Sequence, residues 1–180
     1  MLAFTAALAL FLGLAAAETP LVPGAPLPAF RGTDLAGREV TLPDAARGKV
    51  TVYMFGFSYG SRTPVEVWSE HVREVWGTDP QVAWFQVPMI GGFGRIAKPF
   101  ITGGMKKETP PQYHGNAVVV FGGVGSWKAR LSVKDDSLAY VVVVDRGGIV
   151  RWVHAGVFDS ARAQELDAQI RLQLAAAAQP

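Results

Sequence analysis

The chain is 180 residues long, 49% hydrophobic and 18% charged, enough for one substantial core and too short for two independent domains of ordinary size. Its net charge of only +2 excludes a polycationic nucleic-acid binder. The complete absence of cysteine excludes disulfide staples, thiolate metal sites, and any thiol–disulfide or cysteine-peroxidase chemistry carried by the chain itself.

Residues 1–17, MLAFTAALALFLGLAAA, carry no charge and end in small residues, the pattern of a secretory signal peptide cleaved after Ala17. The same stretch meets the lower limit of about 17 apolar residues for a span, so an uncleaved N-terminal anchor is the alternative. Residues 18–27 hold prolines and glycine without periodicity and are expected to form an extended leader, followed by a single domain over residues 28–177. No later stretch is long and apolar enough to span, since the valines at 141–144 lie between Asp136 and Asp145.

FRGTDLAGREVTLPD offers two short β-capable runs around a turn at Leu35–Gly37, with Phe30, Val40 and Leu42 on one side. Val50 to Phe57 is an almost unbroken apolar run, the mark of a strand covered on both faces. Thr63-Pro64-Val65-Glu66 then places a capping hydroxyl, Pro at the first helical position and Glu three residues beyond the cap. Val65, Trp68, Val72, Val75 and Trp76 recur at helical spacing until Gly77 and Pro80 stop the helix.

Gln81 to Met89 is the next predicted strand, and a Gly-rich turn follows at Gly91 to Gly94. The segment 95–116 has no single period: Arg95 to Ile101 has helical character despite Pro99, and the glycines and prolines beyond it break any regular element. Ala117–Phe121 reads as a strand and Val124–Leu131 as a short helix. Tyr140–Asp145 and Ile149–His154 form a hairpin around Arg146-Gly147-Gly148. A closing helix over Ser160–Ala177 carries Ala163, Leu166, Ile170 and Leu174 on one stripe. Parallel strands joined by helices, then an antiparallel pair and a last helix, make an α/β domain with a mixed sheet flanked by helices and an N-terminal β-hairpin.

Few residues carry chemistry. Gly92-Phe93-Gly94-Arg95-Ile96-Ala97 matches a dinucleotide fingerprint only in spelling, because the next segment is broken by Gly and Pro. His71, His114 and His154 share no ligand spacing, so no metal site is expected, and no serine sits in a nucleophile elbow. No cofactor is expected. Phe93 to Tyr113 interleaves aromatic and basic residues, and Phe93, Arg95, Lys98, Phe100, Met105, Lys106, Lys107 and Tyr113 are the candidate contacts for a partner protein or anionic headgroups.

Gly48-Lys49-Val50-Thr51-Val52 with Phe55-Gly56-Phe57-Ser58 resembles the opening of the thioredoxin-like and redoxin superfamily. FGFS is similar to the corresponding run of the copper-delivering assembly proteins of cytochrome oxidase. In thioredoxin-type members the resemblance would put cysteines at Gly60 and Thr63, and in the copper-delivery type at Gly60 and Pro64. The vacated redox turn thus comprises Ser58, Gly60, Ser61, Arg62, Thr63 and Pro64. The cis-proline that such proteins place before the next core strand is also missing, with Leu138, Ala139 and Tyr140 in its place.

Ala139–Asp145 together with Gly148-Ile149-Val150-Arg151-Trp152 looks most like the thioredoxin-fold assembly factor of the mitochondrial ATP synthase membrane sector. That resemblance implies a non-catalytic protein that binds a client, an integral membrane subunit, during assembly or maturation. An oxidoreductase working through a partner or cofactor, and a metal carrier related to copper delivery, are the alternatives. The resemblance and the apolar leader place the protein outside the cytoplasm.

Overall fold

The computed structural model describes residues 18–92 and 97–176. The elements in chain order are strands β1 (Phe30–Asp34), β2 (Glu39–Leu42) and β3 (Val50–Gly56), helix α1 (Arg62–Trp76), strand β4 (Val82–Ile90) and helix α2 (Lys98–Glu108). Strand β5 (Val118–Phe121), helix α3 (Val124–Arg130), strands β6 (Ala139–Val144) and β7 (Val150–Gly156), and helix α4 (Ser160–Ala176) follow.

All seven strands join one mixed sheet in the order β2-β1-β5-β4-β3-β6-β7. β3 is central because every residue in it is buried, so its apolar run is covered on both faces as its composition requires. The connections β3–α1–β4 and β4–α2–β5 step the same way across the sheet, and right-handed crossovers then put α1 and α2 on the same face.

Two cores result. On the α1 and α4 face, Val52, Met54, Trp68, Val72, Val141 and Leu166 pack together; on the other, Phe30, Tyr53, Phe55, Val142 and Trp127 of α3 do so. The N-terminal hairpin forms as expected, with Phe30 opposite Leu42 and Gly32 opposite Val40. The proline-rich segment before it turns once at Pro23–Gly24, closed by the Ala25 N–H donating to the Val22 carbonyl at 3.0 Å, and is tied down. Leu21 and Leu27 are buried, the Leu21 N–H donates to the Arg130 carbonyl at 2.7 Å, and the Leu27 N–H donates to that of Gly148 at 2.9 Å.

Two expectations for α1 need correction. Thr63 is not its cap: the helix starts at Arg62, two residues before the predicted first helical position Pro64, and Thr63 is exposed. The preceding turn is closed instead by serines, with Ser61 Oγ donating to the Ser58 carbonyl at 2.8 Å. Val75 leaves the apolar stripe and is 44% exposed, while Ser69 is buried on it. Ser69 fits there because its hydroxyl has two partners, donating to the Glu66 carbonyl at 2.9 Å and accepting from Gln86 Nε2 at 2.6 Å.

The segment without a sequence period resolves into α2 and a 3-10 turn over Pro111–Asn116. Phe93 and Arg95, and the second half of the predicted Gly91–Gly94 turn, lie outside the described residues. No helix among the described residues is long and apolar enough to cross a membrane.

Candidate functional site

The turn after β3 is where the sequence placed a vacated redox site, and the structure shows it filled. Ser58 Oγ donates to the Asp136 carbonyl at 2.8 Å, across the loop that precedes β6. A side chain added at Gly60 would lie 3.3 Å from Cβ of Ser137, so that loop stands directly against the turn. Asp135 folds the loop by accepting from the Ser137 hydroxyl and N–H, which together hold its carboxyl below the usual carboxylate range. At Gly56 a Cβ would meet Ser61 Oγ at 2.7 Å, so the glycine is what lets the serine turn close. Hydroxyls at hydrogen-bonded positions offer shape and no electron-transfer atom.

Beside this turn a cleft of about 680 Å³ opens between α1 and α2. Its floor is the face of β4 carrying Trp84, Gln86, Pro88 and Ile90. One wall is α1, with Val65, Ser69 and Arg73, and the other is α2, with Ile101, Gly104 and Met105. Arg62 Nη2 and Glu108 Oε2, 2.8 Å apart, link the two walls. Both side chains are about half exposed, so the link is a weak surface clasp of roughly 0–1 kcal/mol. A volume of this size lies within the ~300–1,000 Å³ typical of ligand pockets.

The candidate partner residues separate into three kinds. Phe100 lines the cleft and is 85% exposed, and Lys106 and Lys107 are exposed at the end of α2. Lys98 is partly engaged, its ammonium 5.1 Å from the centroid of the Phe121 ring. Met105 packs against Leu35, Ala117 and Val119, and Tyr113 packs on Trp84 with the Arg73 guanidinium over its ring, so these two build the walls rather than the rim. In the turn, Arg62 and Thr63 are exposed and Pro64 is half-buried.

Sequence reasoning missed Tyr59, which is 86% exposed and lines the same cleft as Phe100. An aromatic ring isolated in a polar turn was the available signal. It also missed the floor residues Trp84 and Gln86, which in one dimension look like ordinary strand positions.

The three histidines are apart. His71 Nε2 lies 3.2 Å from Asp167 Oδ1, His114 Nε2 lies 2.9 Å from the Thr109 carbonyl, and His154 stacks on Trp152. Burial, helped by the nearby Arg162 charge, holds the His154 imidazolium below the usual histidine range.

No protein-family model matches the chain, and no curated protein matches it. Solved structures do. A protein from Chlorobium tepidum described as a thiol:disulfide interchange protein DsbE superposes with a TM-score of 0.60 at 22% identity, over 86% of this chain and 99% of that one. The exposed lipoprotein thioredoxin Etrx1 of Streptococcus pneumoniae gives 0.56 at 17% identity, over 78% and 99%. BsSco, a member of the Sco family of cytochrome c oxidase assembly proteins, gives 0.55 at 12% identity, over 84% and 98%.

The fold is thioredoxin-like. At these identities the likeness extends to the fold alone. In this chain the turn after β3 is built of Ser, Gly, Arg and Thr, and the protein contains no cysteine.

Proposed function

We propose that this is a non-catalytic thioredoxin-fold protein, exported from the cytoplasm, that binds a protein client during assembly or maturation of a membrane complex. The observation that carries this reading is the pair Tyr59 and Phe100, 86% and 85% exposed, at the mouth of one apolar cleft beside a turn without a thiol. Large aromatic side chains left in water next to a concave apolar surface are what protein-binding hot spots are made of. Lys98, Lys106 and Lys107 add positive charge along α2, which favours a client with acidic flanks or one presented at an anionic membrane surface. The resemblance to the ATP synthase assembly factor supports an integral membrane subunit as that client, and the Sco description supports an assembly role in general.

The test is affinity capture from detergent-solubilised membranes. Wild type should retain a client that Tyr59→Ser/Phe100→Ser loses and Lys98→Glu/Lys106→Glu retains only weakly; equal capture by all three proteins overturns the reading. Insulin-reduction and peroxide-consumption assays on the purified chain should be blank. A redoxin-related oxidoreductase acting through a partner's thiols is the second reading, supported by the DsbE description. It requires insulin reduction to appear when a thiol-bearing partner is added. A metal carrier of the Sco kind is the third, and copper titration of the purified chain separates it from the others.

A further inference from the structure

The cleft between α1 and α2 has a neighbour. A second cavity of about 550 Å³ lies toward the start of β4, and Arg73, Trp84 and Tyr113 line both, forming a common wall. The two chambers differ in chemistry. The larger is walled mainly by apolar side chains such as Val65, Pro88, Ile101 and Met105. The charged residues lining the smaller are Lys49 and Arg73, and no carboxylate among the described residues lines it.

The smaller chamber exists because the sheet has a notch. β4 pairs with β3 along Val82 to Pro88, but on its other side it meets β5 only at Gln86, Met89 and Ile90. Val82–Phe85 therefore lack a ladder partner on that side among the described residues. The Val50 N–H donates to the Gln81 carbonyl at 2.9 Å, so Gln81 faces β3 and the alternation of the strand turns Trp84 the other way. The Trp84 carbonyl indeed accepts from Asn116 Nδ2 at 2.9 Å, and its N–H points into the same notch. An N–H donor there, with Lys49 and Arg73, makes a surface suited to an anion.

Arg73 is available for such a role. Its guanidinium lies over the Tyr113 ring at 4.9 Å, and Glu70 Oε1 is 3.7 Å from its Nη2. Glu70 is 56% exposed, a pairing of the kind that solvent and ligands readily replace. Glu66, about two helical turns before Arg73 on α1, also lines the larger chamber, where it would repel a second carboxylate. Arg62, the other cation of the larger chamber, is paired with Glu108 at 2.8 Å, which leaves Arg73 and Lys49 as the positions for an anion.

We propose that these adjoining chambers bind an anionic amphiphile, a long-chain carboxylate, with its head group at Arg73, on the side of Lys49, and its chain lying along the larger chamber between α1 and α2. The residues it relies on, Arg73, Lys49 and the walls of the larger chamber, are not the exposed rings or the α2 lysines assigned to a protein client. Ligand and client can succeed or fail independently.

The experiment is isothermal titration of the purified full chain with palmitate and with palmitate methyl ester, which keeps the chain and removes the charge. Palmitate should bind saturably with one site, and the ester at least tenfold more weakly. Arg73→Gln and Lys49→Gln should each weaken palmitate several-fold and narrow its advantage over the ester. Gly104 lies in the chamber wall with nothing within 4 Å of a Cβ, so Gly104→Phe should fill the chamber and abolish binding while the melting temperature holds or rises. Should that variant fail to fold, Ile101→Trp makes the same test.

Absence of saturable palmitate binding, equal binding of acid and ester, or full binding by the chamber-filling variant each overturns the proposal. Lys98→Glu/Lys106→Glu should leave palmitate binding unchanged, which separates this site from the client surface; a parallel loss would reduce the ligand to an effect of that surface and overturn it too.

Discussion

α1 and α2 cover the same face of the sheet, yet they are held there in opposite ways. α1 buries Val65, Trp68, Ser69, Val72 and Trp76, whereas α2 buries no residue at all and carries two adjacent glycines in its middle. Trp68 illustrates the first kind: it is fully buried, packs edge-on to Phe158 at 5.1 Å, and donates its indole N–H to the Gly156 carbonyl at 3.3 Å. Phe100 illustrates the second, an aromatic ring on α2 with most of its surface in water. A helix whose apolar side chains are spent on the core fixes the fold; one whose side chains are left over can meet something else.

The sharpest way to break this contrast is to compare truncations in the two helices. Trp68→Ala should cost about 3–5 kcal/mol in chemical denaturation, the usual range for removing a buried large aromatic. Phe100→Ala should be within about 0.5 kcal/mol of wild type, as for an exposed position. If the two losses are similar, α2 is as much a core helix as α1.

A smaller effect probes the polar anchor of α1. Asp167 of α4 is buried and accepts from Trp76 Nε1 at 2.7 Å, with His71 Nε2 also within 3.2 Å. Asp167→Ala strands the buried indole N–H and should cost about 1–3 kcal/mol, with Asp167→Asn recovering part of it in the same assay. For α2 the expected sign reverses. Nothing lies within 4 Å of a Cβ at Gly103, so Gly103→Ala should stabilise the protein by about 0.5–1 kcal/mol, read as a raised melting temperature.

The smallest effect is a slope with pH. His154 packs against Trp68 and Trp152, and its folded-state value lies below the unfolded one of about 6.5. The unfolded chain therefore takes up the proton first, and stability present above that value declines as pH falls through it. His154→Gln should flatten the stability profile between neutral and mildly acidic pH; an unchanged slope would show that another group sets it.

The same contrast explains what the sequence disclosed. β3 and α1 were legible because burial on two faces writes an unbroken apolar run and burial on one writes a helical period, and both survive in one dimension. The serine closure of the turn was not, because Ser58 and Ser61 take their partners from carbonyls, one of them at Asp136 far along the chain. α2 was ambiguous for a physical reason: a helix whose side chains are at most half-buried needs little period. The cleft was hidden altogether, since Gly56, Trp84, Arg73 and Gly104 come from four segments and acquire a common role only when folded. Asp167 was passed over although it stands between Leu166 and Ile170, where a lone acid in an apolar stripe marks a buried partner.

The tied-down segment ahead of the hairpin has a colloidal consequence. β7 is a border strand of the sheet, and Pro26 bridges to Ile149 while Val150 exchanges hydrogen bonds with Gly24 and Ala25 along its outer side. Those few residues act as a guard rail that occupies backbone groups another molecule would otherwise recruit. Versions trimmed to begin at Pro28 should self-associate through that bared border, visible as concentration-dependent growth in light scattering, whereas versions beginning at Glu18 should stay monodisperse.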